Sequence, residues 1–355
     1  MTPYLPDGSS RWRLRPAREA DLDALDALAQ ASAIGITSLP AERGVLADGL
    51  ARSCEAFAAM ASGDDASGEE RYLFVLEDRA DGRLAGTAGI TAAAGFNDRF
   101  YSYLNEFIVQ VSPALQARNR IHTLHLCHDL TGVTLLTGFH VDPALAASAA
   151  PQLLSRGRLA FIAAHAERFS DRIAAENPGL ADDTGRCPFW AAVGERFFGV
   201  AYPDAERVTA GKSPKDWIAE LMPQSPIYVP LLPDEAQWAL GQLHPVGELP
   251  FAILIDEGLD GDSYVNLFDG GPTAEGRVAA LKTVRRRRRA GVGALRSTPA
   301  EGALALVDNG GGADFCALLA PAGDAVALAA ADVQALGTGP QWAAALDPWG
   351  GEERA

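Results

Sequence analysis

Lysine is nearly missing from this chain. Only Lys212, Lys215 and Lys282 occur, and arginine supplies the rest of the positive charge. With so much alanine present, that imbalance reads as genomic composition bias rather than function. Cysteine is sparse as well. Cys54, Cys127, Cys187 and Cys316 are scattered without C-x-x-C spacing, which fits a reducing cytoplasm better than a disulfide framework. No apolar run approaches the length of a membrane span, and Met1-Thr2-Pro3-Tyr4 does not open a signal peptide. Net positive charge is lacking too. The formal net charge is −16, which argues against a general binder of nucleic acid or anionic membrane, since either needs a basic face. No internal repeat is visible.

What is present is a large apolar fraction. At 355 residues and 48% hydrophobic, the chain can bury a large core in two domains or one enlarged domain. Residues 1–10 read as a disordered start, 11–284 as the main domain, and 285–355 as a small β-rich C-terminal part. Trp12–Arg15 alternates and reads as a strand, broken by Pro16. Asp21–Ala29 is an amphipathic helix, and Ser38-Leu39-Pro40 turns into a second helix through Phe57. After a Gly/Asp/Ser-rich loop, Tyr72–Leu76 is a strand. Asp81-Gly82 turns it back into Leu84–Ile90, and Phe107–Val111 is another strand. Arg172–Glu176 is a short strand, and Pro188 opens a helix carrying Val193, Phe197 and Phe198. A helix is expected over 217–222. Prolines 223, 226, 230 and 233 keep Ile227–Val229 extended. Glu235–Gln242 reads as a helix stopped near His244-Pro245. Tyr264–Phe268 is a late strand, followed past Pro272 by a helix through Val284.

The organising stretch lies between, from Gly132 to Phe169. Its first part reads as a buried strand ending in Phe139-His140-Val141, closed by Asp142-Pro143. Ala144–Ala150 is a small-residue loop. Pro151 then starts a helix, where its missing N–H costs nothing, with Leu153, Leu154, Phe161 and Ile162 on its apolar face. A strand, loop and helix N-terminus in this order can aim free backbone amides at a phosphate. The alternative is an ordinary connection between strand and helix. The overall order is α+β, compatible with an N-acyltransferase (GNAT-like) mixed sheet flanked by helices.

Several stretches, in one order, resemble the arginine N-succinyltransferase family. They include Leu14–Leu22, Gly35–Pro40, Tyr72–Asp78, His128–Gly132, Leu153–Arg156, Pro188-Phe189-Trp190, Ile218–Pro223, Gly241–Pro245 and Phe268–Thr273. The resemblance covers roughly residues 12–290 and implies transfer of a succinyl group from succinyl-CoA to the α-amino group of L-arginine. It implies His244 as catalytic proton donor and a backbone contact to succinyl-CoA at Phe139. The CoA-facing set expected from the strand end and helix start is Phe139, Val141, Leu153, Leu154 and Ser155. Glu106 is the carboxylate expected near the amine substrate. Histidine suits the proton transfers, because it titrates near neutral pH. The alternative for His244 is a histidine placed against a helix C-terminal dipole. No metal is required. The expected partners are the two small molecules and a homo- or hetero-oligomer with a related subunit, with no nucleic acid and no membrane.

Two departures from the family open a second reading. The loop Ala144–Pro151 stands where the family carries an arginine and a glycine-rich run, and alanine restricts close backbone approach. Leu104–Ser112 and Glu176–Gly179 also differ. The chain could then be a weakly active or non-catalytic partner subunit. Three other features carry less. His122, His125 and His128 invite a metal, but strand alternation turns His122 and His128 away from His125. Arg285–Arg289 reads as a solvated helix end or a phosphate contact. Asp256, Glu257, Asp260 and Asp262 form an acidic patch that could read a guanidinium or simply be surface.

Overall fold

The computed structural model describes residues 3–31, 39–182, 184–209, 222–290, 292–294, 303–322, 326–337 and 339–347. Its N-terminal strands follow the alternation of their residues. β1 (Trp12–Pro16) pairs antiparallel with β2 (Arg71–Asp78), and β2 with β3 (Leu84–Thr91). Helices α1 (Leu22–Ala31) and α2 (Arg43–Ser62) lie between β1 and β2 in the chain, and α2 ends on Gly63 in the left-handed conformation. A long hairpin follows, β4 (Ser102–Ser112) and β5 (Ala117–Cys127). Then comes the central strand β6 (Thr134–Val141), the helix α3 (Ala150–Ala164) and β7 (Arg172–Glu176).

Among the described residues four short helices follow: α4 (Pro188–Ala192), α5 (Glu195–Phe198), α6 (Tyr202–Thr209) and, past β8 (Ile227–Tyr228), α7 (Asp234–Ala239). The one helix expected from Pro188 is thus two, parted at Val193-Gly194. Gly194 packs so closely on Trp190 that an added Cβ would come within 2.3 Å of its ring. The helix expected over 217–222 lies, apart from Met222, outside the described residues.

His244 does not sit at the end of a helix. It is the N-cap of α8 (Pro245–Glu257), which the sequence reading missed. Pro245 was read as a stop, yet at N1 a proline is favoured, and Pro250 inside the helix further disguises it. β9 (Asp260–Val265) and β10 (Pro272–Arg277) come next. Pro272 opens a strand where a helix was expected, because the first residue of a strand need not donate to the ladder. Past β10 a 3-10 turn over Val278–Ala280 precedes the α-helical Lys282–Arg286, α9.

The C-terminal strands are β11 (Arg288–Arg289), β12 (Val292–Ala294), β13 (Leu304–Asp308), β14 (Ala317–Pro321), β15 (Val326–Leu328) and β16 (Trp342–Ala345). Helix α10 (Ala330–Leu336) precedes β16. β14 pairs antiparallel with β1. Among the described residues, fourteen strands therefore share one sheet, in the order β11-β16-β13-β14-β1-β2-β3-β6-β7-β10-β9-β4-β5-β8, and β12 with β15 forms a separate pair. Residues 3–10 are structured as well. Tyr4 bridges to Ser10, and the buried Ser10 N–H donates to Asp332 Oδ1 at 3.0 Å.

Helix α3 is buried on every side from Ala150 to Ile162. Phe161 meets Phe57, Phe74 and Phe315 edge-on, with centroids 5.0–5.8 Å apart, and each such ring pair adds about 0.5–1.5 kcal/mol beyond area burial. Full burial also encloses Arg156, so its charge must be met within the protein. Its Nε donates to Gln152 Oε1 at 2.7 Å, and its Nη atoms pair with Glu257 and Asp256. Glu257 is fully buried and also accepts from the Thr283 N–H and hydroxyl, both at 2.8 Å. The pair predicted as part of a surface acidic patch therefore reads an internal guanidinium, and it locks α8 and α9 onto α3. Among the described residues, no helix is long and apolar enough to cross a membrane.

Removing one member of such a pair strands the other in a low-dielectric core. Glu257→Gln is expected to cost about 3 kcal/mol or more, read as a lower urea midpoint. Asp262→Asn, at an exposed position, should leave the midpoint in place. The double variant Arg156→Met/Glu257→Leu should recover much of the loss. An unmoved midpoint in Glu257→Gln would show that other contacts hold these helices together.

Candidate active site

β6 is held differently on its two sides. Against β3 it pairs along its length, from Leu135 opposite Thr91 to Val141 opposite Gly86, with a register shift near Gly89. Against β7 it pairs in parallel only at Thr134–Ile173 and Leu135–Ala174. From Leu136 onward the two strands part. Gly138 sits at φ +57 within the irregular stretch, a conformation costly for any residue with a Cβ. Its carbonyl accepts the Thr87 hydroxyl at 2.8 Å. Close approach continues to the strand end, where a Cβ on Gly86 would come 2.6 Å from the His140 carbonyl.

The gap opens on a cavity of about 640 Å³, walled by Gly138, Phe139, Arg158, Glu176, Gly247 and Asp269 among others. Phe139 is thus on the wall. Glu176 ends β7, and the adjacent Asn177 Nδ2 donates to the Ala175 and Pro272 carbonyls at 3.0 and 3.2 Å. Asp269 accepts from the Gly271 N–H at 2.8 Å. Burial first, and then the nearby Glu176 charge, push its carboxyl up to about 6. These two carboxyl groups make one acidic wall.

His244 stands beside the cavity. Its N–H donates to the Pro178 carbonyl at 2.8 Å, and its Nδ1 accepts from the Val246 N–H at 3.3 Å. An accepting Nδ1 leaves the proton of the neutral ring on Nε2. Pro178, Val246 and Gly247 line the cavity, and His244 itself does not.

The helix N-terminus behaves differently from the expectation of free amides. The Ala150 N–H is taken by Ser148 Oγ at 3.2 Å, Pro151 has none, and the Gln152 and Leu153 amides both reach the Ala149 carbonyl. Earlier in the loop, Ala144 donates to Asp142 Oδ1, and Leu145 to the Asp142 carbonyl. The leading turn is closed on itself. Leu153, Leu154 and Ser155 are wholly buried, and Val141 is partly buried beside the cavity rather than on its wall. Of the CoA-facing set expected from sequence, the cavity collects Phe139 alone.

Glu106 lies on β4, its Oε1 3.1 Å from His125 Nε2, and it is not on the cavity wall. His122 is hydrogen-bonded to Asn105 and stacked on Phe107 at 4.6 Å. His128 lies past the end of β5, near Tyr101. The three histidines do not converge, and among the described residues no group of three or more His, Cys, Asp or Glu could hold a metal ion. In the arginine run, Arg287 forms a two-pronged pair with the buried Asp308 at 2.9 and 2.7 Å, and Arg286 pairs with Asp347.

Sequence reasoning missed Arg158 and Asp269. Both left a signal. Arg158 stands four residues after Leu154 and three before Phe161, on the apolar stripe of α3 where a charge is out of place. Asp269 lies in the Phe268–Thr273 run, noted only as a stretch.

Comparison with known proteins agrees along nearly the whole chain. A family model described as arginine N-succinyltransferase beta subunit matches residues 12–283. The arginine N-succinyltransferase subunit alpha of Pseudomonas aeruginosa is 45% identical over 331 residues, 92% of this chain and 96% of that protein. An arginine N-succinyltransferase of Salmonella newport is 36% identical over 326 residues, 91% and 93% of the two chains. The solved structure of arginine/ornithine succinyltransferase subunit AI from Pseudomonas aeruginosa superposes with a TM-score of 0.84 at 41% identity, covering 95% of this chain and 99% of that one. A mixed sheet with helices on it is thus common to both structures, and the splayed central strand belongs to a fold with known relatives. On the extent of these matches, the chain belongs to the arginine N-succinyltransferase family.

Proposed function

We propose that this chain moves a succinyl group from succinyl-CoA to the α-amino group of L-arginine, on a GNAT-like N-acyltransferase fold, in the cytoplasm. The observation that carries this reading is the parting of β6 from β7 over the cavity. Backbone groups on the free side of β6 near Phe139 can hold the thioester carbonyl and stabilise the oxyanion formed on attack. The acidic wall of Glu176 and Asp269 suits the cationic amino acid.

The arginine nitrogen must first lose a proton, and a carboxyl near pH 6 such as Asp269 is tuned to take it. The nitrogen then adds to the thioester carbon, and the tetrahedral adduct expels the CoA thiolate as the C–S bond breaks. The departing thiolate accepts a hydrogen bond from His244 Nε2–H, since Nδ1 is engaged by the Val246 N–H, and it takes up the second proton of the adduct nitrogen, which leaves the neutral amide, the free thiol and a neutral ring. No covalent acyl-enzyme and no metal enters this sequence. In this reading Glu106 belongs to the outer hairpin rather than to the amine pocket.

A second reading has its own support. The closed turn before α3 offers no free cradle for a pyrophosphate, which fits a weakly active or non-catalytic subunit paired with a related chain in a homo- or heteromeric enzyme. Free-thiol release from succinyl-CoA on adding arginine to the purified chain separates the two. Release at enzymatic rates supports the first, and none supports the second.

Two variants probe the residues. His244→Ala is expected to lower kcat by about 10²–10⁴ and, by removing the cap of α8, to cost about 1 kcal/mol of stability. His244→Asn keeps a capping side chain, so it should lose the turnover and keep the stability. Normal turnover in a folded His244→Asn protein removes His244 from the chemistry.

The loop is tested by Ser148→Gly combined with Ala147→Gly and Ala149→Gly. This frees the Ala150 N–H and relaxes the turn, at some cost in loop entropy. Calorimetry should then give tighter CoA binding. Weaker binding would mean that the closed turn already has the shape that holds the cofactor.

A further inference from the structure

Arg156 and Arg158 stand two residues apart on α3, and both side chains are buried, at 3% and 1% exposure. Arg156 is met by two carboxylates. Arg158 is met by none among the described residues. Its contacts are all long: Nη1 to the Gly89 and Thr137 carbonyls at 3.3 and 3.2 Å, Nη2 to Ser155 Oγ at 3.4 Å, and Nε to the Ser155 carbonyl at 3.5 Å. A guanidinium in a charge-assisted bond sits closer, at roughly 2.7–2.9 Å. Burial alone pulls its pKa down, to about 9, so the group remains cationic at neutral pH. An uncompensated buried cation costs several kcal/mol, and this one lines the cavity.

Its position in the cavity is specific. The guanidinium carbon lies 5.6 Å from the ring centroid of Phe139, on the strand end where the proposed function holds the thioester. Glu176 and Asp269 also line the cavity, and they repel any anion. A succinyl thioester carries a free carboxylate two methylene groups beyond its reacting carbonyl. We infer that Arg158 is the anchor for that carboxylate, so that the cavity selects a dicarboxylic acyl group over a neutral one. The inference rests on the proposed binding of an acyl-CoA at β6. It assigns the cationic side of the cavity to the acyl donor and the acidic side to the amino acid. Arg158 also props the irregular β3–β6 stretch through the Gly89 and Thr137 carbonyls, and the test must separate the two roles.

The test is equilibrium binding of succinyl-CoA and butyryl-CoA to the purified full-length chain, without arginine. The two thioesters have the same chain length and differ in the terminal carboxylate. Wild type is expected to prefer succinyl-CoA by at least about tenfold, since a lost buried charged partner costs this much or more. Arg158→Met should weaken succinyl-CoA binding far more than butyryl-CoA binding and so erase the preference, and Arg158→Lys should keep part of it. If the Met variant fails to give a cooperative melt, Arg158→Gln, which still donates to the carbonyls, decides in its place. An equal loss for both thioesters would make Arg158 a structural prop only and overturn the inference, as would equal binding of the two by wild type. No turnover is required, so a chain that releases no thiol yet keeps an Arg158-dependent preference defeats the proposed activity and leaves this inference standing.

Discussion

β6 must satisfy one neighbour and abandon the other. It stays on β3 to its end, while β7 leaves after two residue pairs. A parallel sheet that parted without support would expose polar backbone to an apolar interior. Here Arg158, the Thr87 hydroxyl and the positive φ of Gly138 absorb the irregularity. The cavity is the space this parting creates. The burial of α3, the course of the chain over 177–179 and the placement of α8 all follow its outline. Remove the parting and there is a continuous sheet with no site.

Charge in this molecule is spent inward. The sequence is strongly acidic and its basic residues are nearly all arginine, which read as compositional bias. The structure finds a use for the fork geometry of that side chain. Arg11 takes Asp78 through two nitrogens, Arg15 reaches Asp21 and Glu77, and Arg287 takes Asp308. A lysine, a point charge without the planar fork, cannot reproduce this two-pronged geometry. Against that pattern Arg158 stands apart as a wholly buried arginine on the cavity wall whose charge no carboxylate of the described residues meets.

Local signals carried well into the fold. Alternation in Trp12–Arg15 and Tyr72–Leu76, the Asp81-Gly82 turn and Pro151 at a helix start became β1, β2, the β2–β3 hairpin and α3, because each depends on neighbours in sequence. Failures came where the deciding contact is distant. Pro245 and Pro272 each look like a break, and each opens an element whose identity is set by packing on Pro178 or by pairing with β7. Glu257 read as surface because its partner Arg156 is far away along the chain. The site followed the same rule. Phe139 and His244 were both singled out by a likeness in their surroundings, and the structure puts Phe139 on the cavity wall and His244 beside it. The closed turn before α3 depends on which way one serine hydroxyl points, and no spacing encodes that.

The first and last parts of the chain meet at β1 and β14, where Arg13 faces Leu318 and Leu14 faces Ala317. During synthesis β1 leaves the ribosome before β2 and β3, which can join it soon afterwards. Its other edge has no partner until β14 has been made. For that interval the nascent protein carries an open strand edge beside an apolar surface, the kind of template that recruits neighbouring chains. The rate of elongation, and whatever shields that edge in the meantime, thus bear on the yield of folded protein as directly as any contact in the finished molecule.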